Sequence, residues 1–114
     1  MTPSELSPFI RPLFSRQDYS GLILIPRKIY YEWSRYIIPE NEYLNGNGAE
    51  LFLLPRFSSN EKAEEFYRLF YDLFFQYKLR QYSENPDYWP VNRTYDMFNQ
   101  WFEVRIAGVV SSLK

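Results

Sequence analysis

Aromatic side chains set the tightest limit on how this chain folds. Eleven Tyr, ten Phe and three Trp make up 21% of its 114 residues. Each such ring buries roughly 150–250 Å² when fully covered. A chain of this length folds as one domain with much surface for its volume. A single small core has little room for every ring, so the composition predicts that some lie against another molecule and that the chain self-associates. Tyr suits such a place, because its hydroxyl stays hydrated while its ring is covered.

Two absences narrow the chemistry. The sequence has no Cys and no His. Disulfide frameworks, thiol nucleophiles, histidine-based triads and nearly all zinc, copper and haem sites are thereby excluded. Thirteen basic and fourteen acidic side chains leave a formal charge of -1, so there is no bulk attraction to nucleic acid or to anionic membranes. The first residues show no basic region followed by an apolar stretch. The longest aliphatic runs, Leu22–Ile25 and Leu51–Leu54, are far shorter than the ~20 residues of a membrane span. The expected location is the cytoplasm.

Three prolines, at 3, 8 and 12, argue against a long helix at the N-terminus, and residues 1–20 read as an arm ahead of a single globular domain, 21–114. Leu22–Ile25 and Leu51–Leu54 are each closed by a Pro-Arg pair. They read as buried segments that either pair as strands or form helical turns. Asn47 and Glu50 also have the spacing of a helix N-cap pair. Between the two segments, residues 27–38 carry a helical pattern. Ile29, Trp33, Tyr36 and Ile37 share one face, and Lys28, Glu32 and Arg35 another. The run Asn45-Gly-Asn-Gly48 signals a turn.

The clearest element is a helix over 59–84. Ser58 and Glu61 have capping-box spacing, and acidic residues cluster near the start, where the helix dipole favours them. Phe66, Leu69, Phe70, Leu73, Phe74 and Tyr77 read as its apolar face. Glu65, Arg68, Asp72, Gln76 and Arg80 form a polar stripe. With Tyr67, Tyr71, Phe75 and Tyr82 between them, the apolar arc is wider than a one-sided surface helix needs. A third helix is expected over 93–113, burying Phe98, Phe102, Ile106, Val109 and Leu113. Gly108 inside that pattern costs about 1 kcal/mol relative to Ala, which implies a close neighbour or a weak end. The expected fold is mainly α: three amphipathic helices with the two short segments as possible strands, and α+β as the alternative.

The inventory of reactive groups is thin. There is no nucleophile-elbow serine and no phosphate-binding glycine loop. Lys28, Lys62 and Lys78 read as solvated helix-surface residues. Glu61 with Glu65, and Asp96 with Glu103, have spacings that place two carboxylates on one helix face, but on the wet side rather than in a cleft. Glu40, Glu42 and Glu50 do not fit a calcium loop. No catalytic residue, metal ligand or cofactor site is assigned. The expected function is a non-catalytic protein-binding module, an adaptor, inhibitor or immunity-like protein, acting as a homodimer or larger oligomer. Its interface candidates are Tyr67, Tyr71, Phe75, Tyr82, Tyr88 and Trp89, with Tyr67 and Tyr71 nearest the contact. The alternative is nucleic-acid binding by Arg27, Lys28, Arg35, Lys78 and Arg80, interleaved with rings able to stack on bases. A histidine-independent enzyme is the third reading. For Trp89, between Pro86 and Pro90, two roles compete: a plug at the end of the core, or an anchor for a partner.

Overall fold

The computed structural model describes residues 19–43 and 48–111. Residues 1–18 of the expected 1–20 arm, and residues 45–47 of the expected turn, lie outside these. The described residues form strands β1 (Tyr19–Pro26), β2 (Glu50–Pro55) and β3 (Phe102–Val110) and helices α1 (Lys28–Ser34), α2 (Asn60–Arg80) and α3 (Tyr95–Trp101), with a short 3-10 turn at Pro86–Tyr88. The sheet is antiparallel, in the order β2-β1-β3. The mainly α expectation is therefore corrected to an α+β fold. Both short apolar segments are strands, and the last expected helix is a helix only as far as Trp101.

The reason lies in how residues alternate once they meet a sheet. In β1, Ser20, Leu22, Leu24 and Pro26 are buried against the helices, while Ile23 and Ile25 on the other face are half-buried. This period of two is the signature of a strand with one covered face. β2 repeats it: Phe52 and Leu54 turn inward, Leu51 and Leu53 outward. In the C-terminal segment, Phe102, Val104 and Ile106 pack toward the core. The apolar spacing there satisfies a helix as well as a strand. The β-branched side chains of Val104, Ile106, Val109 and Val110 favour the strand, and pairing with β1 along its whole length decides it. Gly108 sits in this strand, not in a helix. Its carbonyl accepts a hydrogen bond from the Ser20 hydroxyl, 2.9 Å, beside a register shift between Tyr19 and Gly21. Gly21 itself lies under the tips of Leu51 and Val110, where a Cβ would come within 2.9 Å of both. A glycine mid-strand marks such a close approach.

The helices start where local caps allow. Ser59, one residue beyond the expected Ser58, accepts from the Lys62 amide. Thr94 caps α3 by accepting from the Met97 amide. α1 is shorter than expected, ending at Ser34. α2 bends at Phe70, whose backbone leaves the helical region (φ -111°, ψ 16°). Both long-range faces are also rotated from expectation. In α1, Tyr30, Tyr31, Trp33 and Ser34 are buried while Ile29, and Tyr36 just past the helix end, are exposed. In α2, Ala63, Tyr67, Phe75, Lys78 and Leu79 are buried.

The core is built of rings. Tyr30 touches Tyr31, Trp33, Tyr82, Trp101 and Phe102, with centroids 5.0–6.4 Å apart. Phe75 packs on Phe98, Trp101 and Phe102. Edge-to-face and tilted pairs of this kind add to simple area burial. The Tyr30 hydroxyl donates to the Lys78 carbonyl at 2.6 Å, so its one polar atom is satisfied where water is excluded. Burial pushes that phenol far above the ordinary tyrosine range.

Candidate functional site

Of the six interface candidates, most are used within the chain. Phe75 is fully buried, and Tyr67 and Trp89 nearly so. Tyr71 and Tyr82 are half-buried and pack on the core, and the Tyr71 hydroxyl donates to the Arg93 carbonyl at 2.9 Å. Tyr88 is exposed. Trp89 is held on three sides: its indole N–H donates to the Ser83 carbonyl at 2.8 Å, and the Arg80 and Arg93 guanidinium carbons lie 5.6 and 5.7 Å from its ring centre. This placement is that of a core plug.

Each of the basic candidates has a partner within the chain. Lys78 is buried, against the expectation of a solvated lysine, and its ammonium donates to Glu50 at 2.9 Å. Gln81 donates to the same carboxylate oxygen. Burial raises the Glu50 pKa, but these hydrogen bonds and the Lys78 charge outweigh it and hold the carboxyl below its ordinary range. Arg27 donates to the Asn99 carbonyl, Lys28 lies 3.9 Å from Glu32, Arg35 donates to the Asn41 carbonyl, and Arg80 to Gln76. Of the carboxylate pairs, Asp96 and Glu103 fall on different elements, α3 and β3, while Glu61 and Glu65 keep their one-turn spacing on α2. Glu65 meets Lys62, Glu103 meets Arg105 on β3, and Asp96 sits on the exposed side of α3. Among the described residues no three His, Cys, Asp or Glu side chains are placed to share a metal ion. No described helix is long and apolar enough to cross a membrane.

The surface that stands out lies on the side of α2 that the periodicity reads as its apolar face. On α2, Leu69 is 74% exposed, Leu73 63%, Tyr77 45% and Phe70 39%. One flank of the helix is tied down by Asp72, whose two carboxylate oxygens accept from Arg93 at 2.7 and 3.2 Å. That hydrogen bonding, with help from Gln76, holds the Asp72 carboxyl below its ordinary range. The opposite flank meets β2, where the Phe52 ring lies 5.3 Å from Phe74 and 5.2 Å from Tyr77. Phe66 continues this aromatic row to Phe57 and Phe70. Tyr77 lies on the β2 side of α2, and among the described residues β2 is one of the two edges of the sheet. The signal for the exposed face in the sequence is the excess width of the apolar arc, which says that part of the arc is surplus but not which part.

No protein-family model, curated protein or solved structure matches the chain.

Proposed function

We propose that this chain is a non-catalytic protein-binding module, an adaptor or inhibitor, whose contact surface is the outer face of α2. The observation that carries the reading is the run of Leu69, Phe70, Leu73 and Tyr77 on that face, which leaves large apolar side chains in water. Contiguous apolar patches of a few hundred Å² mark contact sites on protein surfaces. Rigid rings beside aliphatic side chains lose little conformational entropy on contact.

The test is a double variant, Leu69→Glu with Leu73→Glu, used beside wild type as bait in the native host. The variant should unfold within about 0.5 kcal/mol of wild type, as surface changes do, and should lose the proteins that co-purify with wild type. Recovery of the same proteins by both baits would refute the reading.

A further inference from the structure

We infer that the occupant of the outer face of α2, when no partner is bound, is the N-terminal arm of the same chain, seated through Phe9, Ile10, Leu13 and Phe14. This rests on the reading that the face is a contact surface, and it adds its regulation: the arm competes with the partner.

The first support is where the arm joins the fold. Residues 1–18 precede Tyr19, which opens β1 and pairs with Pro55 at the end of β2. There the Phe57 amide donates to the Ser20 hydroxyl oxygen at 2.9 Å, so the chain enters the sheet beside Phe57. The Phe57 ring lies 5.3 Å from Phe66, and Phe66 lies 4.9 Å from Phe70. Phe70 and Leu73, three residues apart, are neighbours on the helix surface. An apolar track thus runs from the root of the arm onto the exposed face. The opposite face of the sheet is closed at the same point. Beside Tyr19, the Leu51 and Val110 side chains fold over Gly21, within 2.9 Å of where its Cβ would stand.

The second support is length. Phe14 stands five residues before Tyr19, and a proline-stiffened chain of that length covers roughly 15 Å. This exceeds the two ring steps from Phe57 to Phe70 and leaves room for the chain to reverse. Ser15 and Asp18 are residues that favour a turn. Phe9 and Ile10 stand four residues before Leu13 and Phe14, roughly 12 Å in the same kind of chain. Leu69 and Tyr77 are eight residues apart on α2, also about 12 Å at the helical rise. Leu13 and Phe14 therefore meet Leu69 and Phe70 when Phe9 and Ile10 meet Leu73 and Tyr77. The third support is chemistry. Between Pro8 and Arg16 the arm carries four large apolar side chains and no acidic one. Pro8 and Pro12 restrict its backbone, which lowers the entropy lost on docking.

The chain has no Cys, so Ser7→Cys in the full chain carries a single nitroxide label outside the described fold. Its paramagnetic broadening should fall on the amides of Leu69 to Tyr77 and spare those of Ile23, Leu53 and Arg105. Adding Phe9→Glu and Phe14→Glu should abolish it. Broadening at Ile23 and Leu53 instead would put the arm on the open sheet face and overturn the proposal, as would no localised broadening at all. Equal broadening when label and isotope sit on separate molecules of a mixed sample would make a second copy's arm the occupant, and would also overturn it. The competition has its own readout. If the arm covers the face about nine-tenths of the time, freeing it by Phe9→Glu with Phe14→Glu should strengthen partner capture about tenfold. Unchanged capture would overturn the competition. If broadening is absent and the Leu69→Glu/Leu73→Glu variant still loses host proteins, the protein-binding reading stands without the arm. If broadening is present and that variant loses none, the docked arm stands and the protein-binding reading falls.

Discussion

Lys78 lies in the last turn of α2, where a lysine ordinarily extends to water and complements the helix dipole. Here the ammonium is buried against Glu50. Removing one member of such a pair leaves the other uncompensated, which costs roughly 3–5 kcal/mol in a fully buried site. Because the Glu50 side chain is 29% exposed, Glu50→Gln should cost about 2–3 kcal/mol in urea unfolding. Lys78→Met with Glu50→Gln should recover most of that loss, since an apolar replacement of both partners is often neutral. The pH dependence has a definite sign. Folding lowers the pKa of Glu50 and of Asp72, so each carboxylate adds stability that is fully present above its unfolded value. That stability is lost as pH falls through the lower, folded value. The gap between wild type and Glu50→Gln should therefore shrink as the pH is taken from about 5 to 3. Trp89 makes the other residue-scale prediction. As a plug clamped by Arg80, Arg93 and Ser83, it should cost about 3–5 kcal/mol when changed to Ala, measured on the isolated chain. A melting curve close to wild type would show that the ring is not structural.

At the scale of elements, α3 and β3 form one continuous stretch in which a helix passes directly into a strand. Thr94 fixes the start of α3. Phe102 is already extended, at φ -139° and ψ 140°, while its amide still bonds the Phe98 carbonyl. The Arg27 amide donates to the Trp101 carbonyl at 2.8 Å, so the end of α3 is held by the residue that follows β1. Carbon chemical shifts should therefore read as helix over 95–101 and change sign to strand values over 102–110. A helical signature across 102–110 would contradict the fold. Thr94→Ala should cost about 1 kcal/mol, the usual value of a lost N-cap, again by urea unfolding. In α2, the two flanks have different roles. Tyr71 and Asp72 fasten it to the segment before α3, and Phe74 covers Phe52 of β2. Neither set uses Leu69 or Leu73, which is why charging those two should spare the fold.

For the whole molecule, all three helices contribute to one aromatic core on a single face of the sheet. The other sheet face keeps Leu51 and Leu53 in water. If the chain self-associates through the outer face of α2, folding and association are linked by mass action. The melting temperature should then rise with protein concentration across the micromolar range, and Leu73→Glu should remove that rise while leaving the melting temperature of dilute protein nearly unchanged. A melting temperature independent of concentration in wild type would speak against a dimer.

The sequence by itself determined what this protein cannot contain and roughly where its elements lie. The missing Cys and His removed whole classes of chemistry. The prolines after Ile25 and Leu54, the serines before α2 and the run of rings from Phe66 to Tyr77 placed two short apolar segments and one long helix. The width of the apolar arc on that helix showed that part of it was surplus to a core. Tertiary structure decided the rest. Phe98, Phe102 and Ile106 recur every four residues, which suits a helix, yet Phe102, Val104 and Ile106 also alternate. Only the unpaired edge of β1, far away in sequence, resolves that ambiguity in favour of a strand. The buried face of α2 was likewise open, because Phe, Tyr and Leu lie on both sides of it. Tyr67, Tyr71 and Phe75 face inward because Tyr95, Phe98 and Phe102 are there to meet them. Leu69 and Leu73 are left outside because nothing in the described fold lies opposite them. Local pattern sets which side chains need burial; the arrangement of distant partners sets which of them obtain it.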